Sequence, residues 1–91
     1  MAHTTRDKKK LLNRVRRVRG QIEAVERLLE NESECVDILQ QIAACRGAIS
    51  SLMAEVLEGH IRFHVAEPDL PIRSRKKAAE ELIGITKSYL K

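Results

Sequence analysis

Apolar residues recur along much of this chain at alternating steps of three and four residues, which is the spacing of helices that pack along one seam. The first seam, between about Thr5 and Glu30, consists of Leu11, Val15, Val18, Ile22, Val25 and Leu29. The second, which ends at about His64 or Val65, consists of Cys35, Ile38 or Leu39, Ile42, Cys45, Ile49, Leu52, Val56 and His60. Side chains suited to capping precede each helix, namely Thr4 or Thr5 and then Asn31 or Ser33.

The second predicted helix is too long to be covered by its own chain. At roughly 30 residues it would be about 45 Å long, whereas the whole protein has only 91 residues. We therefore expect a partner chain to cover its apolar seam, which means a homodimer at least.

The remainder of the chain predicts one further helix. Pro68 and Pro71 place a loop from Ala66 to Pro71, because proline ends a helix. The last helix then runs from about Ser74 to Leu90, and its expected inner side holds Ala78, Leu82, Ile85 or Ile83, and Tyr89. No strand is predicted, and we interpret residues 1–91 as one all-α domain.

Cysteine content and hydropathy indicate where such a protein works. No apolar run approaches the roughly 18 residues that cross a membrane, so no membrane partner is expected. The basic start has no apolar segment after it and does not resemble a signal peptide. The two cysteines are therefore expected to be reduced thiols in the cytoplasm.

Positive charge is concentrated near the start of the chain. From Arg6 to Arg19, here called the basic segment, only Asp7 opposes eight basic residues, whereas acidic residues dominate from Gly20 to Asp37. A segment of one sign is typical of phosphate binding, although it is also compatible with a solvated helix face. The candidate phosphate contacts are Lys8, Lys9, Lys10, Arg14, Arg16, Arg17 and Arg19, with Arg46 in support. Arg14 and Arg17 are preferred, because they share a helix face with Lys10.

Few residues could bind a metal or react. His60 and His64 are four residues apart, so they share one helix face and could bind one ion. Cys35 points the same way but lies 25 residues earlier, about 37 Å along the helix. These residues can meet only if a second copy packs antiparallel, with the small residues from Ala43 to Ser51 at the crossing point. The prediction is two equivalent sites, each with Cys35 of one chain and His60 and His64 of the other.

The other candidates are weaker. If Met1 is removed, the amine of Ala2 and the imidazole of His3 are nitrogen donors that suit nickel or cobalt, although the sequence alone favours a disordered terminal histidine. Cys45 is interpreted as a small core residue. Catalytic arrangements and phosphate-binding glycine loops are absent from the sequence, so we do not expect an enzyme or an organic cofactor.

Four segments of the chain resemble the copper-sensitive operon repressor family, CsoR. They are Arg14–Ile22, Cys35 with Ile38–Ala44, Arg46–Ala48 and Leu52–His60. The resemblance covers residues 3 to about 65, and it is closest to the nickel/cobalt-responsive (RcnR) and formaldehyde-responsive (FrmR) subgroups. It implies an all-α repressor without a helix-turn-helix, a disc-like dimer of dimers that leaves operator DNA when its effector binds.

The resemblance also implies roles for particular residues. The metal-sensing subgroup uses positions that correspond to His3, Cys35, His60 and His64. For the formaldehyde subgroup, the resemblance implies a reaction that links the N-terminal amine, here of Ala2, to the cysteine, here Cys35. That subgroup usually has proline at position 2 and often an acid at position 64, where this chain has alanine and histidine. The copper subgroup has a second cysteine at the position of His64. Its absence here argues against copper as the cognate signal.

The combined interpretation is a cytoplasmic transcriptional repressor that binds double-stranded operator DNA and releases it when Ni(II) or Co(II) binds, although zinc or copper could bind in vitro. The first alternative is a formaldehyde sensor. The second is a helical interaction protein that has no role on DNA, and the third is a dimer with a structural metal, whose removal would unfold the chain.

Overall fold

The computed structural model describes residues 3–90, apart from the side chains of His3 and Arg6. A single turn, α1 (His3–Arg6), is followed by α2 (Lys8–Glu30), α3 (Cys35–His60), a π-helical segment (Ile61–Val65) and α4 (Ile72–Tyr89). The described residues contain no strand, which confirms the all-α class. Among them, no helix is both long enough and apolar enough to cross a bilayer.

The helices begin at residues other than the predicted caps. Thr4 and Thr5 lie within α1, and α2 starts after Asp7, whose side chain makes no capping hydrogen bond. At the start of α3 the capping position is occupied by Glu34, with an extended backbone (φ −59°, ψ 141°). Asn31 and Ser33 belong instead to the turn that ends α2, so neither is available to cap the next helix.

The turn between α2 and α3 has two backbone hydrogen bonds that satisfy the last carbonyls of α2. Ser33 N–H donates to Leu28 O at 2.9 Å, and Glu32 N–H donates to Leu29 O at 3.1 Å. This is the Schellman arrangement, which requires a left-handed residue after the helix. Glu32 takes that conformation, with a φ of 53°. A side chain with a Cβ is disfavoured there, and glycine is the usual occupant.

Glycine at this position should therefore stabilise the protein. We expect Glu32→Gly to raise the free energy of unfolding by about 0.5–1 kcal/mol, because relief of the left-handed strain exceeds the extra chain entropy of glycine. Chemical denaturation at fixed protein concentration measures the change. Glu26→Gly, an exposed mid-helix position on α2, should lower stability by about 1 kcal/mol. A loss of stability in Glu32→Gly as well would contradict the argument.

α2 and α3 form an antiparallel hairpin that covers only part of each predicted seam. On α2, Val18 and Val25 face α3 and are half-buried. The alternate seam residues Val15, Ile22 and Leu29 are 43%, 52% and 58% exposed. The pattern repeats on α3, where the exposed apolar residues are Val36, Leu39, Ile42 and Ile49. Each helix therefore has one apolar side against its neighbour and a second apolar side open.

The chain by itself has almost no core. In the part of the chain that the structure describes, only Cys45 and Ala78 are buried hydrophobic residues. The chain measures 55 × 29 × 13 Å and has a radius of gyration of 17.2 Å, whereas a compact chain of this length would have about 12 Å. A flat layer with one open apolar side is the shape expected of a subunit rather than of an isolated globule.

The first half of α4 packs mainly against the π-helical segment and also contacts the last residue of α3. Arg75 Nε donates to Val65 O at 2.9 Å, and Ala78 is buried beside His60. The predicted inner side of α4 is found only in part. Ala78 is buried and Leu82 is half-buried, whereas Ile83, Ile85 and Tyr89 are 48%, 41% and 74% exposed.

Candidate metal centre and nucleic-acid interface

The two histidines lie together where α3 gives way to the π-helical segment. His60 is the last residue of α3, and His64 follows in the wider π turn. Their ring centroids are 5.3 Å apart, with the ring planes inclined by 43°. Two imidazoles that bind one ion through nitrogens at about 2.1 Å, at a near-tetrahedral angle, have ring centres about 5 Å apart. The spacing therefore fits a shared metal ion.

His60 is held in place by α4. Its Nε2 lies 3.0 Å from Ala78 O, and because a carbonyl only accepts, Nε2 is the donor. Metal-binding histidines commonly donate one ring N–H to a carbonyl in this way, which orients the ring. The cleft beside the pair has a volume of about 380 Å³ and is lined by His60, His64, Leu70, Ser74, Lys77, Ala78 and Glu81.

Cys35 does not join the histidines within one chain. It is the first residue of α3 and is exposed, and 25 residues of helix correspond to a rise of about 37 Å. Nowhere between residues 3 and 90 do three or more described His, Cys, Asp or Glu side chains form a metal-binding group. The expected separation is thus found, and a complete Cys/His site would need a second subunit.

The remaining sequence candidates have different outcomes. Cys45 is 8% exposed and belongs to the core, as predicted. The backbone of His3 forms the start of α1, but its side chain is not described, and Ala2 lies outside the described residues. Their predicted roles remain predictions.

The candidate nucleic-acid interface divides into two sets of cations. Lys8, Lys9, Arg16 and Arg17 are exposed on α2, and within the described structure they form no ion pair. Arg19 pairs loosely with Glu23 at 3.9 Å, and Arg46 is exposed on α3. These side chains are open to solvent in the single chain.

Lys10 and Arg14 are paired across the hairpin instead. Lys10 Nζ lies 3.2 Å from one oxygen of Glu55, and Arg14 Nη2 donates to the other at 3.0 Å. Arg14 Nη1 also donates to Ser51 Oγ at 2.8 Å. Sequence reasoning preferred Arg14 as a phosphate contact but missed Glu55. In the sequence, Glu55 is recognisable only as an acidic residue beside the second seam. Helical periodicity does not indicate which residues of α2 it contacts.

Comparison with known proteins places these features in a family. Residues 7–88 match the profile of the metal-sensitive transcriptional repressors. The chain belongs to this family. The metal-sensitive transcriptional repressors are regulators rather than enzymes, and a repressor acts through DNA. The absence of a catalytic arrangement in the sequence agrees with that class.

Two relatives align with the whole chain. The chain is 55% identical over 91 residues to an uncharacterized protein from the bioA 5′ region of Serratia marcescens, and 40% identical over 91 residues to the transcriptional repressor RcnR of Citrobacter koseri. Both matches cover 100% of each chain.

A solved relative shares the fold. It is a variant, with one glutamate replaced by histidine, of the formaldehyde-responsive regulator FrmR from Salmonella enterica serovar Typhimurium. The TM-score is 0.84 at 44% identity, over 96% of this chain and 98% of the other. RcnR and FrmR together support the subgroup that the sequence motifs resemble.

Proposed function

We propose that this protein is a cytoplasmic repressor that leaves operator DNA when Ni(II) or Co(II) binds a site shared by two subunits. The ligands would be Cys35 of one subunit, His60 and His64 of the partner subunit, and His3. The observation that carries the proposal is the histidine pair, whose ring centroids are 5.3 Å apart. The repressor family and the RcnR relative support a metal effector.

The donor chemistry agrees with that choice. Imidazole nitrogens with one thiolate suit nickel, cobalt, zinc and copper, and the order of affinities alone does not select among them. A metal bound by His60 through Nδ1 would leave the hydrogen bond from Nε2 to Ala78 intact. Because histidine and cysteine bind metals in their deprotonated forms, sensing should weaken below neutral pH.

The exposed apolar sides of α2 and α3 support an oligomer. An antiparallel pairing of two α3 helices, crossing between Ala43 and Ser51, would cover Leu39, Ile42 and Ile49. The same pairing would bring Cys35 of one subunit towards the histidines of the other. A dimer of dimers would cover the apolar surface that remains.

DNA would be bound by Lys8, Lys9, Arg16 and Arg17, which form no ion pair in the described part of the chain, and by Arg46. Contacts from lysine and arginine to phosphates position a protein and make its affinity strongly dependent on salt. The effector would clamp the start of one α3 against the end of another and draw in the segment that carries His3, which would shift α2. Such a switch requires that the effector bind the DNA-free state more tightly than the DNA-bound state.

A formaldehyde response is the second candidate, favoured by the likeness to the FrmR structure. The amine of Ala2 and the thiol of Cys35 would each bond to the formaldehyde carbon. The product is an N–CH2–S bridge, with loss of one water molecule. Cys35 is exposed and therefore accessible to this reaction.

Fluorescence anisotropy on promoter DNA, with nickel, cobalt and formaldehyde titrated in parallel, distinguishes the two candidates. His64→Ala should weaken metal-driven release at least about tenfold, because a missing ligand or supporting contact typically costs 10–100-fold in metal affinity. The formaldehyde bridge does not use His64, so a formaldehyde response would survive this substitution.

Three other outcomes of this titration would contradict the proposed function or favour another one. Equal loss of both responses in His64→Ala would contradict the division of roles. Release by formaldehyde alone would make the second candidate the function. If the protein binds no promoter fragment even at low salt, the interaction-protein alternative is favoured.

A further inference from the structure

We propose that Glu55 competes with DNA phosphates for Lys10 and Arg14, and so sets how tightly the repressor holds DNA. The inference rests on the proposed function, because it assigns a regulator to the same DNA-binding surface. When DNA is not bound, the carboxylate of Glu55 on α3 would hold these two cations of α2 in ion pairs, and DNA would have to displace it.

The geometry around Glu55 shows one carboxylate shared by two cations. Its two oxygens are occupied separately, one by Lys10 Nζ at 3.2 Å and one by Arg14 Nη2 at 3.0 Å. The side chain of Glu55 is only 26% exposed, and that of Arg14 is 28% exposed. The pair with Arg14 is therefore partly shielded from solvent and from salt, unlike the exposed pair between Arg19 and Glu23.

Ser51 strengthens this arrangement on one side. Its hydroxyl accepts a hydrogen bond from Arg14 Nη1 at 2.8 Å, so both terminal nitrogens of the guanidinium are directed towards α3. A phosphate group can bind arginine end-on, with one oxygen on each terminal nitrogen, in a bidentate contact. A phosphate that approaches Arg14 in this way competes with Glu55 and Ser51 for the two terminal nitrogens.

Lys10 is more accessible and can be exchanged more readily. Its side chain is 61% exposed, and the ammonium group has three donors on a flexible stem. Approach of a phosphate would draw it from Glu55 and leave that carboxylate near the DNA backbone. Glu55 would then repel the same phosphates that attract Lys10, Arg14 and their unpaired neighbours on α2.

This competition has a function in a repressor that must let go of DNA. The ion pairs of Glu55 with Lys10 and Arg14 form again when the protein leaves DNA, and they stabilise the DNA-free state. The effector then needs a smaller preference for the DNA-free over the DNA-bound state to cause release. The exposed cations of α2 that form no ion pair in the described structure would supply binding, and Glu55 would limit it.

The test measures the Kd of the native protein and of Glu55→Gln for a promoter duplex and for a scrambled duplex at several salt concentrations. The logarithm of Kd is plotted against the logarithm of salt concentration. The substitution is nearly isosteric, removes the negative charge and replaces one of the two acceptor oxygens with an amide NH2 donor. We expect binding to be roughly three- to tenfold tighter at 0.1 M salt and the slope to steepen by about 0.9 for each additional phosphate that the protein neutralises. Circular dichroism and gel filtration verify the fold and assembly, and Glu55→Ala provides a second variant without the carboxylate.

Glu58→Gln is the matched control. Glu58 lies on the same helix and pairs with the exposed Arg62, at 2.8 Å. Removing this charge alters the overall field of the protein equally, so we expect a change in Kd of less than about twofold. Ser51→Ala removes a hydrogen bond of Arg14 without a change in charge, and the salt slope should stay close to native.

The possible failures are distinguishable. If the native protein binds DNA but Glu55→Gln behaves like Glu58→Gln, the inference is overturned and the proposed function is untouched. Weaker binding by Glu55→Gln also overturns it, because Glu55 would then position the cations for DNA. If the native protein binds neither duplex at low salt, the proposed function and the inference both fail.

Discussion

Replacing Cys35 with alanine will abolish effector-driven release and leave operator binding close to native. Cys35 takes part in both proposed effector chemistries, as a metal ligand and as the thiol of the formaldehyde bridge. It is exposed at the first residue of α3, so its removal opens no cavity in the single chain. The Kd for operator DNA, measured by anisotropy with and without each effector, should show less than about a tenth of the native response.

Cys45→Ala is the matched control, because Cys45 lies ten residues further along the same helix and is 8% exposed. It should respond normally to the effector, with a small loss of thermal stability from the cavity. Native-like release by Cys35→Ala would contradict both proposed chemistries and leave His60 and His64 as the only supported part of the site.

Neutralising exposed cations of α2 that form no ion pair within the described residues should produce the second large effect. The triple variant Lys9→Gln, Arg16→Gln and Arg17→Gln should lose roughly 30-fold or more in affinity for operator and scrambled duplexes alike, because phosphate contacts carry no sequence information. The salt slope should become shallower by about 0.9 for each phosphate that the variant no longer neutralises. The helix should persist, since glutamine is a good helix former.

Arg27→Gln controls for loss of positive charge on the same helix. Arg27 is exposed within the acidic stretch that follows the basic segment, so its removal should change the Kd by less than about twofold. If the triple variant binds DNA as tightly as the native protein does, α2 is not the DNA-binding surface.

The three long helices were predictable because their signals are local. Leu11, Val18 and Val25 repeat with the helical period, and Pro68 and Pro71 interrupt it. The caps were not predictable. Asn31 and Ser33 are good capping residues in isolation, but the Schellman turn at Glu32 uses this stretch to end α2.

The same distinction applies to the candidate site. The four-residue spacing predicted that His60 lies beside His64, and the two rings do lie together, although α3 ends at His60 and not at the predicted His64 or Val65. The 25 residues of helix between Cys35 and His60 carry Cys35 far away, as helical geometry predicts. The hydrogen bond from His60 to Ala78 joins two elements across a loop. No periodicity in the sequence indicates which carbonyl of α4 reaches that ring.

The sequence by itself determined the all-α class, the basic segment at the start of α2 and the closeness of the two histidines, because each depends on residues near one another along the chain. Only the tertiary structure decided that Val15, Ile22 and Leu29 lie outside the hairpin and that Glu55 engages Lys10 and Arg14. These outcomes depend on the rotation and register of α2 against α3. Packing across the hairpin and the turn at Glu32 set both quantities, and helical periodicity contains no information about either.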